Sequence, residues 1–158
     1  MDQSTPLREV TKLLPFFDQG YVLVIGSRGA ERKKSTLVRK LASRIFRRFR
    51  KSLLLRNIDD TQCGFKAGRR DVLATLFERL QVFRNGDQQV TGWRVTAYDV
   101  ELLFVAEKMG LSVKEVPVEW QQEDVTRGKQ KSFIRESREM LGEVLRVKWN
   151  DWRGVYNI

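Results

Sequence analysis

Tyr21-Val22-Leu23-Val24-Ile25, followed at once by Gly26-Ser27-Arg28, is the stretch that decides the fold. Five consecutive apolar residues, three of them β-branched, predict a strand buried on both faces, as in a largely parallel sheet covered by helices. Ligands of open α/β sheets sit at the carboxyl ends of such strands. Arg28 therefore stands where a phosphate clamp belongs, although an arginine after a strand is equally often an ordinary solvated charge.

On the amino-terminal side, Leu7, Val10, Leu13 and Leu14 mark one face of a short helix, with Thr5 as N-cap and Pro6 at its first position, ending near Pro15 to Gly20. On the other side, Leu37, Leu41, Ile45 and Phe49 recur every four residues within Ala30 to Leu55. Ten cations lie between Arg32 and Lys51, Arg39 among them, so this helix has one packing side and one strongly basic side. Such a face is either merely solvated or drawn to phosphate and anionic lipid.

Asp60-Thr61-Gln62-Cys63-Gly64-Phe65-Lys66 combines a carboxylate, small polar donors, a glycine and a cation in one short segment. It reads as a carboxylate-bearing turn entering a short strand, with Gly64 permitting close approach of a ligand; the plainer reading is a turn with Cys63 and Phe65 in the core. Asp71 to Leu80 predicts a helix with Leu73, Leu76, Phe77 and Leu80 inward, and Asn85-Gly86-Asp87 a turn. Tyr98 to Gly110 predicts a largely buried helix with Gly110 just past its end; the helix dipole would account for Asp99 and Glu101 near its start. Ser112 to Trp120 alternates as an edge strand does, with Pro117 tolerated there. Gln121 to Lys131 is a polar loop carrying Arg127, Gly128, Lys129 and Lys131. A last helix, about Ser132 to Trp152, turns Ile134, Met140, Leu141, Val144 and Leu145 to one side, and mixes tryptophan with cations near its end. That mixture suits a membrane interface, and packing on the sheet explains the apolar residues equally well.

The whole chain, 158 residues with 41% hydrophobic side chains, suits a single domain with a real core, the sheet and its helices over 1–131 and an amphipathic helix and tail over 132–158. Thirty Lys plus Arg against twenty Asp plus Glu leave a net charge of +10, which predicts an anionic partner. One cysteine rules out an internal disulfide, and with no histidine a zinc site or a Ser-His-Asp triad has no side chains to be built from. Acid-base or metal chemistry falls to carboxylates. No apolar run reaches the roughly 20 residues that span a bilayer, and no signal peptide is evident, which predicts a soluble or peripheral chain.

Taken in order, Val-Ile-Gly-Ser-Arg at 24–28, Asp-Thr-Gln-Cys-Gly-Phe-Lys at 60–66, Tyr-Asp-Val-Glu-Leu-Leu at 98–103 and Glu-Val-Pro-Val-Glu-Trp at 115–120 resemble the family-2 glycosyltransferases that act on polyprenyl phosphates, most of all the dolichyl-phosphate β-glucosyltransferase group. The resemblance implies an α/β, partial GT-A fold lacking its N-terminal nucleotide-binding half, since Asp2-Gln3-Ser4-Thr5-Pro6 matches only the second half of the family's Asp-Ala-Asp-Leu-Ser-Thr-Pro type motif. It implies transfer of a hexose, glucose by this likeness, from a nucleotide-diphosphate sugar to a dolichyl-type phosphate with inversion, by an enzyme inactive in this portion alone. It further implies a divalent metal, Mg2+ or Mn2+, held by Asp2 and Ser4, a catalytic Asp60 next to the acceptor, and phosphate contacts from Arg28, Arg39, Ser43, Lys129 and Lys131. The expected partners are the nucleotide sugar, the polyprenyl phosphate and an anionic membrane surface at the cytoplasmic face, with no nucleic acid. Two rivals rest on charge alone: a basic nucleic-acid-binding module, which the lack of an evident stacking platform disfavours, and a non-catalytic remnant that binds anionic membranes.

Overall fold

A computed structural model describes residues 5–28, 55, 58–61, 63–82, 84, 93–120 and 133–157, with backbone alone for 93–97, 133–137, 139 and 140. Among these residues the centre is a three-stranded sheet in which β1 (Leu23–Ser27) lies between β2 (Lys66–Gly68) and β3 (Val113–Pro117). The expected buried strand is therefore present, but the sheet is mixed. β2 runs antiparallel to β1, pairing Leu23 with Gly68 and Ile25 with Lys66, whereas β3 is parallel, pairing Leu23 with Val113 and Ser27 with Pro117.

Period-two alternation divides β1 between two cores. Leu23 and Ile25 enter a cluster with Leu76, Leu103 and Val144, while Val24 joins Leu13, Cys63, Val116 and Val118 on the opposite face. The first cluster is closed by α3 (Arg70–Arg79), α4 (Trp93–Lys108) and α5 (Phe133–Trp152). The second is closed by two short helices, α1 (Val10–Leu13) and α2 (Pro15–Asp18), through Phe16 and Phe17.

Several boundaries differ from the sequence reading. The first helix opens as a 3-10 turn over Leu7–Glu9 whose N-cap is Pro6, with no side-chain cap from Thr5. Pro15 starts another helical turn instead of ending one, because its missing N–H is no loss at a first position. Phe77 is largely exposed and stacks on Tyr98 at 6.2 Å between ring centres. Among the described side chains of α5, Val144 and Val147 are buried and Leu141 and Leu145 face outward, while the side chains of Ile134 and Met140 lie outside the described set. Gly110 has φ +67, as a residue just past a helix end requires.

The backbone of Gly26 touches its neighbours closely. A Cβ there would lie 2.9 Å from Val118 Cγ2, 3.0 Å from Cys63 Sγ and 3.1 Å from the Phe65 carbonyl oxygen, to which Gly26 N–H donates at 2.7 Å. Gly26→Ala is expected to cost about 1–3 kcal/mol by overpacking, read as a lower denaturant midpoint. Gly64 is different: among the described residues nothing lies within 4 Å of the corresponding position, so Gly64→Ala should leave that midpoint unchanged.

Candidate functional site

The carboxyl end of β1 collects charged side chains from four separate segments. Arg28 follows the strand and meets Asp60 in a bidentate pair, Nε donating to Oδ2 at 2.8 Å and Nη2 to Oδ1 at 2.7 Å. The Arg28 backbone N–H also donates to Asp60 Oδ2 at 3.0 Å. Both side chains are only 16% exposed. Burial works against the guanidinium charge, but the hydrogen bonds and the charge of Asp60 outweigh it and hold the Arg28 pKa above its ordinary value.

Glu115 on β3 holds the loop that bears Asp60. Its two carboxylate oxygens accept the backbone N–H groups of Asp59, at 2.7 Å, and Asp60, at 3.0 Å. Trp120, just beyond β3, lies with its ring 5.7 Å from the Arg28 guanidinium carbon, within the range of a cation–π contact. A second pair lies alongside, with Lys66 donating to Asp99 Oδ1 at 2.7 Å and to the Cys63 carbonyl. Burial raises the Asp99 pKa, with Lys66, Tyr98 and Arg28 opposing the rise. Burial likewise raises that of the Cys63 thiol, so Cys63 is a core residue with little thiolate character.

Arg28 and Asp60 are thus brought together across 32 residues of sequence. Arg28 is not a bare cation awaiting phosphate, because its charge is matched by Asp60; the pair uses two of its five N–H donors. Asp99 and Glu101 are not explained by the helix dipole. Their helix begins at Trp93, which puts them in its second and third turns, and both are buried. Asp99 serves the Lys66 pair, and Glu101 serves the core. Glu115, Trp120 and Asp99 were unassigned in the sequence reading, although each belongs to a motif quoted there.

Asp2, Ser4, Arg39, Ser43, Lys129 and Lys131 lie outside the described residues, as do the basic stretch 30–54, the 85–90 turn and the 121–131 loop. Among the described residues no group of three or more His, Cys, Asp or Glu is placed to hold a metal ion. The carboxylates of Asp60, Asp99 and Glu115 are instead engaged by cations or backbone N–H groups, so a metal centre here would need donors from beyond them. Among the described residues, no helix is long and apolar enough to cross a membrane.

No family model matches the chain, and no solved structure matches it significantly. Curated proteins do. A dolichyl-phosphate β-glucosyltransferase of Dictyostelium discoideum is 29% identical over 125 residues, 79% of this chain and 34% of that protein. The corresponding protein of Drosophila melanogaster is 43% identical over 70 residues, 44% of this chain and 18% of its own length. A glycosyltransferase of Haloferax volcanii is 28% identical over 151 residues, 94% of this chain and 22% of that protein. The chain spans well under half the length of these relatives. Matched in this way by several curated enzymes, the chain resembles the family-2 glycosyltransferases, and the dolichyl-phosphate β-glucosyltransferases among them.

Proposed function

We propose that this chain forms part of a GT-A glycosyltransferase that moves a hexose, glucose by the names of its relatives, from a nucleotide-diphosphate sugar to a dolichyl-type phosphate with inversion. The observation that carries the reading is the meeting of Arg28, Asp60, Lys66, Asp99, Glu115 and Trp120, drawn from four separate sequence motifs, at the carboxyl end of the central strand. In α/β sheets that end is where ligands bind.

The chemistry asks for orientation and charge balance. A phosphate monoester loses its second proton at about pH 6, so a lipid phosphate is already mostly a dianion at neutral pH and needs little help from a base. Asp60, with both oxygens held by Arg28 and its backbone fixed by Glu115, suits orienting the sugar or steadying positive charge at its anomeric carbon. Arg28 acts through Asp60 as a positioning residue and keeps further N–H donors for a phosphate oxygen. Arg39, Ser43, Lys129 and Lys131 complete the phosphate contacts in this reading. Mg2+ or Mn2+, held by Asp2 and Ser4, would offset charge on the leaving diphosphate.

The test is transfer of labelled glucose from UDP-glucose or GDP-glucose to a short-chain prenyl phosphate by the protein that carries this chain. Label should move into the organic phase, and a chelator should stop it. Tight, salt-sensitive RNA binding with no response to prenyl phosphate would replace this reading with the nucleic-acid rival.

A further inference from the structure

The outward face of α5 is apolar at its centre and cationic at its borders. Among the side chains described there, Arg138, Leu141, Gly142, Leu145, Lys148, Trp149 and Trp152 are exposed, at intervals of three and four residues, with Arg153 just past the helix end. Leu145 is 50% exposed, Trp149 56% and Trp152 76%. At about 100° per residue, Leu141, Leu145, Trp149 and Trp152 form one stripe with Lys148 on one side and Arg153 on the other. The two indoles lie 5.1 Å apart, near the end of the helix.

The two acids whose side chains are described here, Glu143 and Asp151, point away from that face. Glu143 is tied to Arg146 at 2.7 Å, and Asp151 accepts from Lys108 of α4 and, at 3.1 Å, from Lys148. Carboxylates are therefore drawn toward the body of the protein, and none is exposed among the described side chains of the helix from Arg138 to Trp152. A protein partner of mixed charge would not require such a separation. Aliphatic residues and tryptophan framed by cations match the boundary between acyl chains and acidic headgroups, where indole is favoured for its apolar body and polar N–H.

We propose that the Leu141–Leu145–Trp149–Trp152 face of α5 docks on an anionic lipid surface, the helix lying in the plane of the interface with both indoles at headgroup depth. This does not rest on the transferase reading, because an enzyme without a lipid substrate could use the same face.

The test is co-sedimentation of the full chain with phosphatidylcholine vesicles, with and without phosphatidylserine, while tryptophan emission is followed. Binding should require phosphatidylserine and shift the emission to the blue. Trp149→Ser together with Trp152→Ser should weaken binding by at least about tenfold, and Arg153→Glu should weaken it and make its salt dependence shallower. Both substitutions fall on exposed positions, and an unchanged unfolding midpoint would verify the fold. Binding that the double substitution leaves intact would overturn the proposal, as would equal binding to neutral vesicles. Concentration-dependent self-association abolished by the same substitutions, without vesicle binding, would assign the face to a second copy instead.

Discussion

Asp60→Asn is expected to lower the rate of sugar transfer by about 100-fold or more, while leaving the apparent affinity for the nucleotide sugar nearly unchanged. The substitution keeps the size of the side chain and one acceptor oxygen but removes the charge that, in the proposed reading, faces the reacting sugar. It also leaves Arg28, itself 16% exposed, without its counter-charge, so a stability loss of about 1–3 kcal/mol is expected alongside. Activity must therefore be expressed per folded molecule. Arg28→Lys separates the two effects, since a lysine keeps the positive charge but not the two-pronged geometry seen at 2.7 and 2.8 Å. If Arg28→Lys lowers stability as much as Asp60→Asn but lowers turnover by a clearly smaller factor, Asp60 acts on substrate and not through the fold alone. Equal activities in Asp60→Asn and the unsubstituted protein would remove Asp60 from the site.

Glu101→Ala is expected to destabilise the fold by about 3–5 kcal/mol, the largest effect of any single substitution considered. Glu101 is 0% exposed and joins three parts of the chain. It accepts from the backbone N–H groups of Gln81, at 2.7 Å, and Val82, at 3.1 Å, just after α3. It also accepts from the Tyr156 hydroxyl at 2.6 Å in the C-terminal tail and from Arg146 at 3.2 Å on α5. Removing the carboxylate strands the N–H groups of Gln81 and Val82 and the Tyr156 phenol, and takes from Arg146 one of its two carboxylate partners, Glu143 being the other. Burial and the hydrogen bond to the Glu101 carboxylate both push the Tyr156 phenol above its ordinary pKa, which favours the protonated, donating form. Tyr156→Phe deletes one of these bonds and should cost about 1–2 kcal/mol. Denaturant unfolding of Glu101→Gln, Tyr156→Phe and the combined protein should show strongly non-additive losses, because the substitutions share one bond. Additive losses would mean that Glu101 and Tyr156 do not act as a unit.

How much of this was legible in the letters depends on the range of the interaction concerned. Leu23, Val24 and Ile25 announce a doubly buried strand because no other environment suits three consecutive large apolar side chains in extended backbone, and the two cores on either side follow from alternation alone. Gly110 announces a helix end because few other residues adopt its backbone angle. The inward faces of α3 and α5 were legible only in part. Periodicity shows that a stripe exists, but the exposed Phe77, Leu141 and Leu145 show that it does not say which edge of the stripe meets the core.

Local chemistry misled where an explanation lay close at hand. The helix dipole was a sufficient account of Asp99 and Glu101 only if their helix began beside them, and it begins at Trp93, so their charges answer to Lys66 and to a buried hydrogen-bond network instead. The sequence by itself determined the central strand, the α/β class, the excess of positive charge and a set of ordered motifs. Only the tertiary structure decided that Arg28 finds Asp60, that Glu115 holds the intervening loop and that the apolar stripe of α5 faces outward. Residue type and short-range spacing carry the free energy of local burial and backbone geometry, whereas an ion pair across 32 residues or a helix face left bare depends on how strands and helices register in space.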